Sequence, residues 1–472
     1  MSLPAPRATG PGPSPERDEL GLAIDRASGA RPIDGNRIEH FADSPRALDQ
    51  MLELVDAATT WVHFENYIIR NDRTGRRFAD ALAVRARAGV RVRVLYDALG
   101  SFGTSRRYWR RLTRAGVDVR AFHPLLSRNP FTIFARDHRK LVVADGVRAM
   151  VGGLCIGDEW AGNPERGRRP WRDTMVLVCG PAAVALDRAF GRSWEAAGEP
   201  LSADEQTADP EPCGTCAVRV VAGVPRRARV YRAVQLLAAS AAERLWITDA
   251  YLIPPAPLYA SLLDAAKGGV DVRLLVPGTS DLPVLRNFTR VGYRELLRAG
   301  VRVFEYQGPM IHAKTMVVDR RWSRVGSSNL NVSSLLTNYE LDVLVEGEDL
   351  CESLTGQFRH DLASSREIVL RPRRRLPPRL VDAPAAPEVD AEHKRSRYEL
   401  GAVAVVALRR VAGGLRRAIA TTAALACAGI GALLLLFPRV MSITLAAGAF
   451  WLALVFAVYA FERRRAHGSD EP

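Results

Sequence analysis

Lysine is almost absent from this chain of 472 residues, since only four of its 66 basic residues are lysines and the rest are arginines. The net charge is nevertheless +14. A basic excess of this size favours an anionic partner, such as a nucleic acid, a phosphate-bearing substrate or an anionic membrane surface. The charge alone does not choose among these partners. The positions of the rare lysines are more informative, and they are Lys140, Lys267, Lys314 and Lys394.

Three other features are missing as well. The six cysteines are scattered, which excludes a disulfide-rich scaffold. Residues 1–30 lack the apolar core of a signal peptide, and their content of Pro, Gly, Ala and charge predicts a disordered arm. No Asp-rich or His-rich metal cluster is apparent. Cys213 and Cys216 form a lone CxxC with no second pair nearby, which favours an ordinary connector over a zinc or redox site. We therefore expect neither a metal nor another cofactor.

The centre of the chain contains an internal repeat. Apolar runs typical of strands alternate with helical stretches in each copy, and the phrases "RLTRAGVDVRAF" and "LLRAGVRVFEY" line up. Such alternation predicts an α/β fold with a mixed or mostly parallel sheet. We expect two pseudo-symmetric α/β/α halves, residues 31–200 and 218–370, which are joined by a connector at 201–217 and form one bilobal unit.

The composition changes after residue 370. Residues 371–400 are rich in Pro and Arg, which is typical of a linker, and 401–417 form a basic amphipathic segment expected at a membrane interface. Residues 418–461 contain two long uncharged apolar runs, each sufficient to cross a bilayer core of about 30 Å. They predict a transmembrane hairpin, with a buried helical pair as the alternative. Arginines before the hairpin and in the tail, 462–472, predict that both ends are cytoplasmic.

One short motif occurs once in each half with identical spacing. Each copy reads His-x-Lys-x4-Asp and is followed by a turn rich in Gly, Ser or Asn. Two of the four lysines occupy the motif, although the chain otherwise uses arginine, so these positions require a compact ammonium group. The motif residues are His138, Lys140 and Asp145 in the first half and His312, Lys314 and Asp319 in the second.

The spacing indicates a phosphoryl-transfer site. A strand places residues i and i+2 on one face, so the His and Lys of each copy point the same way. Two such strands would form a pocket with two imidazoles and two ammonium groups, which suits a phosphodiester. One neutral imidazole can attack phosphorus while the other, protonated, donates to the leaving alcohol. Gly153, Ser327 and Asn329 in the turns are candidates to bind the phosphoryl oxygens.

This duplicated motif resembles the phospholipase D signature HxK(x)4D(x)6GSxN. The phrases "HRKLVVADG" and "VGSSNLNVSSLLTNYE" are most similar to the bacterial cardiolipin synthase branch of that superfamily. The resemblance covers roughly residues 33–370. It implies an enzyme of the inner membrane with a cytoplasmic catalytic region, a phosphatidyltransferase or phospholipase D. Such an enzyme would move a phosphatidyl group through a phosphohistidine to phosphatidylglycerol or a related alcohol.

The resemblance also implies roles for single residues. The two motif histidines would be nucleophile and general acid/base, with His138 favoured as nucleophile, and the two lysines would bind phosphate. The two aspartates belong to the motif but are better interpreted as structural. A carboxylate downstream of each motif orients its histidine in the family, and Asp173 and Glu340 hold those places. Glu65 resembles a pocket position, with a solvent-exposed charge at a strand end as the alternative.

The sequence departs from the family pattern after both motifs. Gly153 and Cys155 stand where the signature has Ser and Asn, and Asn331 and Ser333 stand where the branch has Asp and Arg.

Two other functions stay open: a nuclease of the same superfamily, which the positive charge would suit, and an impaired membrane scaffold. The predicted anchor argues against a nucleic acid partner. The expected partners are phospholipids and an anionic membrane surface.

Overall fold

The computed structural model describes residues 18–124, 135–206 and 208–370. Within these ranges the chain forms fifteen strands and eleven α-helices. The strands are β1 (Ile33–Phe41), β2 (Trp61–Asn66), β3 (Arg91–Asp97), β4 (Asp118–Phe122), β5 (Lys140–Ala144), β6 (Arg148–Gly152), β7 (Met175–Cys179), β8 (Cys216–Gly223), β9 (Arg244–Thr248), β10 (Asp271–Pro277), β11 (Arg302–Tyr306), β12 (Thr315–Val318), β13 (Trp322–Gly326), β14 (Glu340–Glu346) and β15 (Ser365–Ile368). The helices are α1 (Glu19–Ser28), α2 (Ser44–Asp56), α3 (Arg73–Arg87), α4 (Arg106–Arg114), α5 (Asp158–Ala161), α6 (Pro181–Ala196), α7 (Arg229–Ser240), α8 (Ala256–Lys267), α9 (Pro283–Ala299), α10 (Val332–Leu336) and α11 (Glu348–Ala363).

All fifteen strands belong to one sheet, and the strand order of its first half repeats in its second half. The first half has the order β4-β3-β2-β5-β6-β7-β1, and the second continues as β8-β14-β13-β12-β9-β10-β11-β15. Strands β2 to β4 and β9 to β11 pair in parallel, whereas the other neighbours are antiparallel. The first strands of the halves, β1 and β8, pair antiparallel and make the sheet continuous. The predicted α/β class with a mixed sheet is confirmed.

Helices cover both faces of this sheet, which explains why its central strands are apolar throughout. In β5, Val142 packs in the core that α2 and α3 cover, whereas its neighbour Val143 packs in the core that α6 covers. Local sequence sets the helix starts. The side chain of Asp43, for example, accepts a hydrogen bond from the backbone N–H of Arg46 at 2.8 Å, and Pro45 follows in the first turn of α2.

The predicted disordered arm over residues 1–30 is wrong for residues 19–28, which form α1. The side chain of Asp18 caps this helix by accepting from the backbone N–H of Gly21 at 2.8 Å. Ile24 is fully buried, and Asp25 accepts from the guanidinium of Arg219 at 2.6 Å. One buried apolar side chain and one ion pair thus attach a short polar segment to the second half, although composition alone predicts disorder.

Residues 1–17, 125–134, 207 and 371–472 lie outside the described part of the chain. The predicted linker, interfacial segment, hairpin and tail all fall in the last of these ranges. Among residues 18–124, 135–206 and 208–370, no helix is both long and apolar enough to cross a membrane.

Candidate active site

Both motifs lie where a strand begins, at corresponding positions of the two halves. Lys140 is the first residue of β5, and Lys314 directly precedes β12. These strands run antiparallel to β2 and β9, so the motifs lie at the carboxyl ends of β2 and β9. The backbone N–H of His138 donates to the carbonyl of Tyr339 at 2.9 Å, and that of His312 donates to the carbonyl of Arg172 at 2.7 Å. Each histidine segment is therefore attached to the other half.

The two motif histidines pair with carboxylates across the halves. Nδ1 of His138 lies 3.1 Å from Oε2 of Glu340, and Nδ1 of His312 lies 2.7 Å from Oδ2 of Asp173. We predicted from the sequence that each carboxylate orients the histidine of its own half. In the structure each carboxylate instead contacts the histidine of the other half. Because Nδ1 faces the carboxylate in both rings, Nε2 is the nitrogen directed to chemistry.

The two motif lysines are fully buried beside the histidines. The ammonium of each donates to the carbonyl of the histidine in its own motif, and Nζ of Lys314 also lies 2.8 Å from Nδ1 of His312. Burial lowers the pKa of Lys314 to about 8, although the Asp173 carboxylate opposes this change. Two buried cations in one pocket favour an anionic ligand.

Burial also sets the protonation of the site. It lowers the pKa of His138, with Glu340 opposing, and it lowers the pKa of His312 to about 4 together with the charge of Lys314. Burial alone would raise the pKa of Asp173, but the charges of His312 and Lys314 hold it at about 2. At neutral pH the histidines are therefore neutral and Asp173 is ionised.

The turns after the motifs support the carboxylates, and they do so differently in the two halves. The Ser327 hydroxyl, a candidate for phosphate binding, donates instead to Oε2 of Glu340 at 2.5 Å. In the first half a Cβ on Gly153 would lie 2.2 Å from Oδ1 of Asp173, so only glycine leaves room for this carboxylate. The indole N–H of Trp160 donates to Oδ2 of Asp173 at 2.9 Å. The first half thus uses Gly and Asp where the second uses Ser and Glu.

The remaining turn residues are buried next to the site. The backbone N–H of Asn329 donates to the Ser334 hydroxyl at 3.0 Å, while its side-chain oxygen has no hydrogen-bond partner among the described residues. Cys155 is buried as well, and burial raises the pKa of its thiol. The thiol is therefore protonated at neutral pH and is not a nucleophile.

Asp145 and Asp319 are not brought into the site with the other motif residues. They directly follow β5 and β12, and both adopt a φ of 54° in the turns after these strands. Asp145 accepts from the backbone N–H groups of Thr60 and Trp61 at 2.7 and 2.9 Å, and Asp319 accepts in the same way from the start of β9. They fix turns at the far ends of the motif strands, which supports their structural interpretation.

Glu65 is neither a pocket residue nor exposed to solvent. In the register of β2 and β5 it lies opposite Leu141, whereas Asn66 lies opposite Lys140. Because side chains alternate along a strand, Glu65 points to the other face of the sheet. It is fully buried there, 3.9 Å from the guanidinium of Arg139, and burial raises its pKa although Arg139 opposes this.

Two tyrosines of the site were not predicted from the sequence. The Tyr67 ring is edge-on to His138 with 4.8 Å between ring centroids, and the Tyr251 ring is edge-on to His312 at 6.0 Å. The Lys140 ammonium also lies 5.0 Å from the centre of the Tyr67 ring. The available signal was the repeat itself, since "ENYII" and "DAYLI" place a tyrosine just beyond β2 and β9.

The site has no group of three or more His, Cys, Asp or Glu side chains arranged to hold a metal, and neither has the rest of the described chain.

Residues 51–159 and 235–362, about half of the chain, match the family model described as cardiolipin synthase, PLD-like domain. The chain belongs to this family.

Individual relatives agree with this membership. The cardiolipin synthase of Geobacillus sp. (strain WCH70) is 34% identical over 327 residues, which are 67% of this chain and 64% of that protein. The cardiolipin synthase of Oceanobacillus iheyensis is 32% identical over 337 residues, 71% of this chain and 70% of that protein. The chain thus spans just under two thirds of the first of these PLD-like relatives.

A solved structure shares the PLD-like fold. The phosphatidylserine synthase of Haemophilus influenzae Rd KW20 superimposes with a TM-score of 0.59 over 74% of this chain and 92% of that chain. The two sequences are only 13% identical, so this similarity concerns the fold alone.

Proposed function

We propose that the chain is a cardiolipin synthase-like phosphatidyltransferase that forms a phosphohistidine intermediate. The observation that carries this proposal is the exchange of partners in the site: His138 with Glu340, and His312 with Asp173, around two buried lysines. A phosphodiester would meet two ammonium groups for its oxygens and one imidazole on each side of phosphorus.

In the first step His138 is the proposed nucleophile. Its Nδ1–H donates to Glu340, which leaves the lone pair on Nε2 for attack on phosphorus. Nδ1 of His312 is instead shared between Asp173 and the Lys314 ammonium, which makes this ring the weaker base. The P–N bond forms, the P–O bond to the leaving alcohol breaks, and His312 gives that alkoxide its proton. The phosphate charge raises the pKa of His312 and supplies the protonated form that this step needs.

In the second step the acceptor alcohol attacks the phosphohistidine. His312, now neutral, takes the proton of the attacking hydroxyl, the P–N bond breaks and a new phosphodiester leaves. The acceptor is proposed to be the free glycerol hydroxyl of phosphatidylglycerol or a related alcohol. Water in its place would give phosphatidic acid.

The test is turnover of phosphatidylglycerol in mixed micelles by the purified protein, with products identified by mass spectrometry. Cardiolipin and glycerol are expected from the wild type, and neither from His138→Ala or His312→Ala. The phosphorylated protein, trapped by acid quench, should carry its label on His138. A folded wild-type protein that gives neither cardiolipin nor phosphatidic acid would exclude the proposal.

A phospholipid surface is the proposed partner, and its contact is proposed to lie at the strand ends that carry the motifs. The loop after β3 exposes 73% of Phe102 and 43% of Leu99, and the corresponding region after β10 exposes 46% of Leu282 and 50% of Phe288. Helix α4, "RRYWRRLTR", follows the first loop and has no acidic residue. Apolar tips beside arginines suit an anionic bilayer interface. The predicted hairpin at 418–461 would keep the enzyme at the inner membrane, with its catalytic region cytoplasmic.

A further inference from the structure

A second basic cavity lies at the opposite edge of the second half, where β9 and β10 begin. Its volume is about 290 Å³, close to the lower limit of about 300 Å³ for small-molecule sites. The buried ring of Trp246 lies in its wall, with three guanidinium groups 4.5 to 5.5 Å from the ring centre. We call it the arginine cavity, and its lining residues are Glu243, Arg244, Trp246, Asp271, Arg273, Arg320 and Arg359.

The positive charge of the arginine cavity is only partly neutralised. Arg273 pairs with Asp271 at 2.9 Å, but Arg244 donates to the backbone carbonyl of Asp319, which carries no charge. Arg320 and Arg359 are exposed, and no carboxylate of the described chain lies within ion-pair distance of either. The lining holds four guanidinium groups against the two carboxylates of Glu243 and Asp271. An excess of like charge in one place destabilises a folded chain, so this convergence needs a reason.

The first half of the duplicated chain serves as an internal comparison. The strand register places His63 where the second half has Trp246, and Arg93 where it has Arg273. There the connector supplies Glu205, which lies 3.2 Å from Nε2 of His63 and accepts from the Arg93 guanidinium at 2.7 and 3.0 Å. In the second half Asp271 makes the equivalent contacts, since it accepts from the indole N–H of Trp246 at 3.1 Å and pairs with Arg273 at 2.9 Å. Arg320 and Arg359 are therefore the guanidinium groups of the cavity that no carboxylate of the described chain pairs with.

We propose that the arginine cavity binds a phosphate-bearing anion. Guanidinium groups bind phosphate oxygens in a bidentate manner, and Arg320 and Arg359 are the two that the described chain leaves for such a ligand. The anion binds at the guanidinium groups of Arg320 and Arg359. It is separate from the catalytic site, because the length of β9, roughly 13 Å, lies between them. The proposal goes beyond phosphatidyl transfer and does not depend on it.

Arginine modification by phenylglyoxal, mapped by mass spectrometry, tests each guanidinium individually and is independent of the catalytic site. We expect pyrophosphate at constant ionic strength to slow modification of Arg320 and Arg359 about tenfold at ten times its Kd, because only about a tenth of the cavities are then free. Arg26 and Arg87 are matched controls, since both are exposed and neither has an ion pair in the structure. Their rates should not change.

Vesicles distinguish the two sources of the phosphate group. Protection by phosphatidylglycerol vesicles but not by phosphatidylcholine vesicles identifies a lipid headgroup, and protection by pyrophosphate alone identifies a free phosphate compound. In Arg320→Gln the protection of Arg359 should be lost while turnover in micelles is unchanged. The proposal is overturned if Arg320 and Arg359 are protected no more than Arg26 and Arg87, or if both are unreactive before any anion is added.

Discussion

At the scale of single residues, the choice of lysine in the motif is open to a direct test. Lys314 is fully buried against His312, where the larger planar guanidinium of an arginine would not fit the same position. We expect Lys314→Arg to lower kcat about 100-fold or more, the size of effect seen when one donor to a developing anion is removed. Lys267→Arg is the control, because Lys267 lies on the surface in a pair with Asp264. Equal activity of both variants would contradict a role for the compact ammonium.

The difference between the two turns gives a second prediction. Gly153→Ser introduces a side chain where Oδ1 of Asp173 lies, so it should displace this carboxylate from His312 and lower kcat about 10- to 100-fold. Adding Asp173→Glu copies the Ser and Glu of the second half and should restore part of the rate. Kinetics of the two single variants and the double variant measure this coupling. Additive losses would show that the residues act independently.

The burial of Lys314 predicts a pH dependence. Its pKa is lowered to about 8, so its positive charge is present below this pH and is lost as the pH rises through it. We expect kcat/KM on a short-chain monomeric substrate to fall about tenfold per pH unit above about 8. The fall in kcat should begin at higher pH, because bound phosphate stabilises the ammonium. A profile that stays flat up to pH 10 would contradict this assignment.

At the scale of elements, the loop between β3 and α4 is predicted to enter the bilayer. Phe102→Ser should weaken binding to phosphatidylglycerol vesicles about 10- to 100-fold, since burying a Phe side chain contributes ~1.5–3 kcal/mol. Turnover of a short-chain monomeric substrate should not change. Val84→Ser is the matched control, because Val84 is 54% exposed near the end of α3. An equal loss of vesicle binding in both variants would exclude the loop as the contact.

The sequence predicted the strands and the motif face better than the partners across the site. The alternation of β5 and β12 follows from local pattern, because i and i+2 share a face in any strand. That His138 meets Glu340 depends on how the two halves cross, which spacing within one half does not determine. Glu65 was misplaced for a related reason: its face depends on register with β5. Helix α1 was missed because one buried apolar side chain, Ile24, outweighs a composition typical of disorder.

At the scale of the whole molecule, the site requires both halves of the same chain. Each histidine takes its carboxylate from the opposite half, and β1 and β8 hold the halves in one sheet. We therefore expect an equimolar mixture of His138→Ala and His312→Ala chains to show no activity in micelles. Separate assays of each variant give the background. Recovered activity would mean that two chains exchange halves, and it would contradict a site built within one chain.

The exchanged pairs also limit how such a gene can change by recombination. Replacing one half with that of a relative would separate each carboxylate from the histidine it contacts. Both histidine–carboxylate pairs of the site would therefore change at once. Gly153 and Asp173 of the first half would then face the second-half histidine of the relative, which had been paired with different residues. Although the two copies arose as repeats, their active-site residues are therefore inherited as a single unit.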